Sequence, residues 1–490
     1  MDRRRGRWWV AVAVVAIVAA AGCGDSQDRE VAPTVPTGSD PTPVTTAPAT
    51  TAPATTGPEP PAGPSVVVDT DLAVDDLVAL AFLLSVDVDV RAITISGTGE
   101  VRCPQGLAVI RGLLELTGDD DVPIACGRST PLVGAHEFPA GWRDAADGGW
   151  GLELDPTDAA DADADAVALL RDALSDGHAT LLTLGPLTNV ADALRTDPTL
   201  VDGIDTLVMM GGSLDAGGNI FESNLDADFS EWNVYVDPTA ADEVMASGVP
   251  IVMVGLDATN RAPVTIDFLE RLAANRHAPA ADVVHRLLEQ NSLVYSGDAY
   301  FWDPLAAAAV VDRSVIATEP MTIDVITGDG PESGRTVRDE RGDRIEVAVD
   351  ADRTMLEAML IRGLDGLSAG EEIIEPSPPV GVGRVSFDGG VCSYDGPTTV
   401  SPGRMRLQVS GDEQASAAAI AHLTGELTIE EILDWVASNP NPQTQPPGVD
   451  VVSAVPAGGE AFLDVLPGTT AVVCADQDGN ILLAATLLVR

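Results

Sequence analysis

Four carboxylates crowd into one short stretch, Asp69-Thr70-Asp71-Leu72-Ala73-Val74-Asp75-Asp76. A Val-rich run from Ser65 to Asp69 precedes it and an apolar stretch from Asp75 to Ser85 follows, so the pattern predicts a buried strand opening into a helix. Carboxylates this close raise one another's pKa unless a cation offsets their charge. Hard oxygens in such a cluster suit calcium, which takes about six to eight of them. Helix N-termini also attract acidic residues as caps. That need accounts for one or two aspartates, and four of them exceed it. A helix start cannot supply a whole coordination shell, so distant residues must complete it.

The elements that would position this cluster follow in alternation. Strands are predicted at Val90 to Ser96, Ala179 to Leu184, Thr206 to Met210 and Val249 to Val254. Helices are predicted at Ala164 to Ser175, Thr188 to Leu194 and Pro238 to Ser247. Such alternation argues for a mainly parallel α/β sheet with buried strands. Ligands of open sheets of this kind sit beyond the carboxyl ends of the strands. Near Glu375-Pro-Ser-Pro-Pro379 the pattern changes, and Val382 to Phe387, Thr399 to Val409 and Thr470 to Cys474 read as strands. A second, β-sandwich-like domain at 380–490 is therefore expected beside an α/β domain at 65–375, and it reads as a binding or spacing module.

The amino-terminus reads as a targeting segment. Arg3, Arg4, Arg5 and Arg7 precede an apolar run from Trp8 to Ala21, shorter than the roughly 20 residues of a membrane span. Ala20-Ala21-Gly22-Cys23 resembles a bacterial lipobox, so 1–23 is expected to be a lipoprotein signal with the anchor at Cys23. Residues 24–64 hold Pro, Thr, Ala, Gly and acidic residues and read as a disordered tether. Of five cysteines, four remain, Cys103, Cys126, Cys392 and Cys474, an even number suited to an oxidising compartment. Pairing within each domain is the simplest of the possible connectivities. The chain is strongly acidic, with 27 Lys+Arg against 76 Asp+Glu and a formal net charge of −49. Such a field repels nucleic acid and anionic membranes. It tolerates neutral small molecules and divalent cations.

Further motifs share an order with the acidic cluster. They are Leu184-Gly-Pro-Leu-Thr-Asn189, Met209-Met210-Gly211-Gly212, Gly218-Asn219, Glu231-Trp232-Asn233-Val234 with Asp237-Pro238, Val254-Gly-Leu-Asp257, and Trp302-Asp303-Pro304-Leu305. Together with the aspartate stretch they resemble the inosine-uridine preferring nucleoside hydrolase family over about residues 65 to 370. The resemblance implies a Rossmann-like sheet with helices on both faces. It also implies calcium as cofactor, held by the side chains of Asp71, Asp76 and Asp303 and by the carbonyl of Leu184. Asp71 would take the proton of a calcium-activated water that attacks C1′ of the ribose. Asp75, Thr98, Asn219, Glu231 and Asn233 would hold the sugar, and Asp69 would orient its neighbours. A nucleoside is then the expected partner, and homo-oligomers are common in the family.

Several positions depart from the family pattern. Leu72 and Ala73 replace a Pro-Gly pair, and Thr98 stands where an Asn is usual. An insertion from Phe221 to Ser230 separates two motifs and would be a lid or a solvated loop. Trp302 stands where many members carry a His, and it resembles the purine-preferring branch, in which an aromatic ring stacks on the base. Trp142, Trp150 and His136 lie in a loop that would cover the base. The expected function is calcium-dependent hydrolysis of ribonucleosides, purines favoured, outside the cytoplasm. The alternatives are a hydrolase of another N-riboside and a non-catalytic surface receptor for nucleosides or ribose.

Overall fold

Val66, Val67 and Val68 are fully buried, and each contributes roughly 1.5–3 kcal/mol through removal from water. Their β-branched side chains favour the extended backbone of strand β1, Ser65–Thr70. Alternation of side chains along that strand sends Val66 and Val68 into one hydrophobic core and Val67 into another. Both faces of the sheet are thus covered, and both cores are closed by helices. The structure, a computed structural model, describes residues 63–152, 165–175, 177–220, 229–368, 370–412, 415–424, 428–438, 448–476 and 481–490. The signal segment, the Cys23 anchor site and nearly all of the tether lie outside these residues, as does 221–228 of the insertion.

The remaining strands of the large sheet are β2 (Asp89–Ile95), β3 (Ile124–Cys126), β4 (Ala179–Thr183), β5 (Ile204–Met210), β6 (Ile251–Val254), β7 (Ile316–Val325), β8 (Thr336–Arg338) and β9 (Asp343–Ala351). They lie in the order β3-β2-β1-β4-β5-β6-β9-β7-β8. Neighbours from β3 through β9 pair in parallel, and β7 runs antiparallel between β9 and β8. The chain builds outward from β1 to β3 and then restarts at β4 on the other side of β1. The crevice between the carboxyl ends of β1 and β4 is therefore a topological switch point, where open sheets bind ligands. The acidic stretch follows β1 directly, and Leu184 follows β4.

Beyond 380 two smaller sheets enclose a separate apolar core. One contains Val382–Asp388, Val391–Asp395, Gly403–Gly411 and Glu460–Val465; the other contains Thr399–Val400, Ala415–Leu423, Val449–Pro456, Gly468–Asp476 and Ile481–Val489. The predicted single strand from Thr399 to Val409 is in fact two. Thr399–Val400 pairs with Ile481–Val489, whereas Gly403–Gly411 joins the opposite sheet. Pro402 lacks a ladder donor and Gly403 takes φ 141, so the chain crosses between sheets there. A helix, Ile429–Ser438, interrupts the strands. This unit docks on the α/β part through Arg404, which pairs with the buried Glu270, and through Arg406, which reaches Asp267 at 3.2 Å.

Two disulfides are formed, Cys103–Cys126 and Cys392–Cys474. The second joins the two smaller sheets across 82 residues of sequence. Closing a loop of that length constrains the unfolded chain by about 4 kcal/mol. Replacing Cys392 and Cys474 by Ser is expected to lower the melting of the carboxyl-terminal sheets and leave β1–β9 folded, as calorimetry resolving two transitions would record.

Candidate active site

Beyond β1 the backbone turns sharply. Leu72 is buried and takes φ 57, a left-handed conformation that costs a non-glycine residue about 1–2 kcal/mol. Trp150 Nε1 donates to the Leu72 carbonyl at 3.0 Å and holds this turn from the opposite loop. Asp76 ties the turn from within. Its Oδ1 accepts from the Thr70 hydroxyl and from the Asp71 amide (3.1 Å), and its Oδ2 accepts from the Ala73 amide at 3.1 Å. Asp76 therefore acts partly as the helix cap that acidic residues often supply. Asp69 sits behind, its Oδ1 accepting from Thr94 Oγ1 at 2.5 Å and from Asn189 Nδ2 at 2.7 Å. Its other oxygen is buried without a partner.

Asp71 lies between two glycines. A Cβ on Gly99 would stand 2.1 Å from the Asp71 Cβ, and one on Gly185 would stand 2.8 Å from it. No side chain fits at either place, so both loops press backbone onto the carboxylate. The Glu100 amide completes the grip, donating to Asp71 Oδ2 at 3.1 Å.

Asp75, Asp76 and Asp303 each offer a carboxylate oxygen within 4.8 Å of one another. Asp303 comes from the first turn of the distant helix Trp302–Val311. Phe301 occupies the cap position of that helix, so the Asp303 carboxylate is not taken up in capping it. Asp71 borders this trio, since its charge acts on both Asp76 and Asp303. Burial, followed by the charge of Asp76, pushes the Asp75 carboxyl up to about 7. Burial and then Asp75 raise Asp303 well above the usual range, and burial with Asp76 does the same to Asp71. Asp303 Oδ1 is buried without a hydrogen-bond partner. Oxygens left open among mutually repelling carboxylates are what a hard divalent cation requires, so the residues fit one.

The residues expected to hold a sugar divide by burial. Asp75, Asn219 and Trp302 keep partial exposure. Asn219 Oδ1 accepts from the Trp232 amide at 3.1 Å and so links two of the motifs. Glu231 is buried and caps the short helix Trp232–Val236, accepting from the amides of Gly212 (3.0 Å), Asn233 (2.9 Å) and Val234 (3.2 Å). Asn233 Nδ2 donates to the Leu184 carbonyl at 2.8 Å, which brings that carbonyl's strand end and the Glu-Trp-Asn motif together. The Thr98 hydroxyl is buried between Ser96 Oγ (2.9 Å) and Thr188 Oγ1 (3.0 Å), and Thr188 passes on to Asp237 at 2.9 Å. Thr98 thus serves an internal chain of hydroxyls.

Three residues near the site carry no motif signal. Glu100 enters beside Asp71, Arg143 Nη2 donates to the Gly97 carbonyl at 3.2 Å, and Trp150 braces the Leu72 turn. The expected loop is in part helical, with Trp142 and Arg143 on the helix Ala140–Asp147 and Trp150 in a short 3-10 turn, and this segment packs Phe138 and Trp142 against Trp232, while His136 stacks on Tyr235 at 4.1 Å between ring centroids. Its aromatic composition was legible in the sequence, but which partners the rings meet depends on tertiary packing.

Comparison with known proteins agrees with this geometry. The family model for the inosine-uridine preferring nucleoside hydrolases matches residues 66–358. The pyrimidine-specific ribonucleoside hydrolase RihA of Photobacterium profundum is 32% identical over 287 residues, which cover 56% of this chain and 88% of that protein. An inosine-uridine preferring nucleoside hydrolase of Bacillus anthracis shares the fold with a TM-score of 0.55 at 28% identity, covering 62% of this chain and all (100%) of that one. A purine-preferring ribonucleoside hydrolase of Gardnerella vaginalis gives 0.53 at 26% identity, covering 62% and 98%. By the extent of the matched region and the order of its motifs, this chain belongs to the inosine-uridine preferring nucleoside hydrolase family.

Proposed function

We propose that this nucleoside hydrolase uses calcium and favours purine ribonucleosides, and that it works outside the cytoplasm on a lipid anchor at Cys23. The observation that carries the cofactor is the carboxylate group of Asp75, Asp76 and Asp303, the last two buried, with Asp303 Oδ1 left open. Asp71, Asp76, Asp303 and the Leu184 carbonyl would hold the ion. When bound, calcium lowers the pKa of water and neutralises the carboxylates.

The chain's own groups do the rest. Asp71, fixed between Gly99 and Gly185, accepts a proton from the attacking water as its oxygen approaches C1′. Asp75, half-buried at the edge of the cluster, accepts from ribose hydroxyls, and the half-buried Asn219 faces the same sugar. Negative charge around the ring favours the oxocarbenium-like transition state shared by glycosidases. Trp302, half-buried next to Asp303, offers a ring to the base. Stacking of a base on an aromatic ring is worth roughly 1–3 kcal/mol, and a purine presents the larger face. The pyrimidine specificity named for RihA supports the competing base preference. For the location, the N-terminal signal pattern and two formed disulfides support an oxidising compartment.

Base release from inosine and uridine, with calcium or with chelator, tests this reading. Turnover is expected with calcium and lost with chelator, and inosine should be the better substrate. Trp302→Ala should lower kcat/KM for inosine about tenfold more than for uridine. Equal losses, or a preference for uridine in the unsubstituted protein, would remove the purine assignment. Gly99→Ala should displace Asp71 and lower kcat about 100-fold with little change in KM, because a shift near 1 Å at a reacting group costs that much. Unchanged kcat would mean Asp71 is not the base.

A further inference from the structure

Among the described residues Trp302 finds no hydrogen bond to fix its ring. Its Nε1 is buried without a partner, and the ring leans on Tyr300 at 5.7 Å between centroids. The place of that ring is therefore set by the backbone leading into the helix Trp302–Val311, and this backbone has two supports. The first is the short helix Ser292–Ser296, which contains Tyr295; its Leu293 carbonyl accepts from the amides of Asp298 (2.9 Å) and Ala299 (3.1 Å). The second is the segment before the helix Ile266–Ala274, together with that helix. Val264 donates its amide to the Ala299 carbonyl at 2.8 Å, and the Phe301 amide donates to the Ala262 carbonyl at 2.9 Å. Phe301 then meets Phe268 of that helix edge to face, 4.9 Å between centroids.

The carboxyl-terminal domain grips both supports. Glu270 and Asp267, which receive Arg404 and Arg406, lie on the helix Ile266–Ala274 with Phe268 between them. Both guanidiniums also lie over the Phe462 ring, at 5.8 and 5.6 Å, and Phe462 packs against the core of the α/β domain. At the other support Gly459 is buried against Tyr295, so closely that a Cβ there would stand 2.0 Å from the Tyr295 carbonyl oxygen. Gly459 is tied into its own domain, its carbonyl accepting from the Val409 amide at 2.9 Å and its amide donating to the Pro456 carbonyl at 3.0 Å. The Tyr295 side chain packs against the cores of both domains. A spacer joined by its linker alone would need no such fit, and these contacts fall on the two elements that lead to Phe301 and Trp302.

We propose that the carboxyl-terminal domain is a positioning element of the active site, in which Gly459 acts through Tyr295, and Phe462 with Arg404 acts through the Phe268 helix, to set the place of the Trp302 ring. This rests on the reading of Trp302 as the contact to the base. Gly459 and Phe462 are then positioning residues that influence which nucleoside is accepted without touching it.

Base release from inosine and from uridine by variants of the full chain tests this. Gly459→Ala should lower kcat/KM for inosine about tenfold, as a remote change that misplaces a contacting group does, with a smaller loss for uridine. A mere shortage of folded enzyme would cut both substrates alike. Phe462→Ala opens packing without a clash or an orphaned charge, so it should show the same bias more weakly, and it carries the test if Gly459→Ala does not fold. Adding Trp302→Ala to either variant should move the inosine-to-uridine ratio no further than Trp302→Ala alone, because both changes act through one ring. Unchanged kinetics in every variant that folds, equal losses for the two nucleosides, or full additivity with Trp302→Ala would overturn this inference alone. So would failure of both variants to fold, which would mark the contact as one that folding requires. A Trp302→Ala protein with no bias between the nucleosides would overturn this inference together with the purine assignment.

Discussion

Like charges buried together at the end of β1 set the terms for the rest of this structure. Asp69 alone shows the scale: burial pushes its carboxyl up to about 7, which at the usual conversion corresponds to roughly 4 kcal/mol against ionisation. A whole domain is stable by only about 5–15 kcal/mol. Asp71, Asp75, Asp76, Glu100 and Asp303 are raised in the same direction. A fold that gathers them has given up stability at this point. A bound cation returns it through charge neutralisation, and the reaction gains a site where charge is already concentrated.

The scaffold answers that constraint in three ways. The switch point between β1 and β4 opens a crevice at which two strand ends deliver Asp71 and Leu184 side by side. Glycines at 99 and 185 let the flanking loops approach Asp71 without side chains between them. Hydrogen bonds from Thr70, Thr94, Asn189 and Trp150 fix the turn itself, including the left-handed Leu72. Asp303 arrives from a helix more than 200 residues later in the chain, fully enclosed at 2% exposure. The carboxyl-terminal sheets dock on the helix Ile266–Ala274 through Arg404 and Arg406 and contribute none of these groups.

Much of this was legible in the residues before any coordinates. Val66 to Val68 announced a buried strand, the aspartates behind them announced a buried acidic cluster, and strand-helix alternation announced the parallel sheet. Those signals are local and periodic. What stayed hidden is set by tertiary contacts. Glu231 reads as a sugar ligand, and only the fold shows that its carboxylate also caps a helix, because the Gly212 and Val234 amides converge on it. Thr98 reads as a sugar contact, and the fold alone shows that its hydroxyl also bonds to Ser96 and Thr188. Glu100 and Trp150 have no motif at all, and only the folding of their loops onto Asp71 and Leu72 gives them a place. The split at Pro402 was readable from the Pro-Gly pair, whose missing donor and free φ end a strand.

The most direct test of the account is a crystal structure determined in saturating calcium, with the ion located by its anomalous scattering. The account predicts one ion at the end of β1, bound by Asp76 and Asp303 together with Asp71 and the Leu184 carbonyl. A well-ordered structure in which that place holds no calcium, with the carboxylates paired to one another through shared protons, would contradict it.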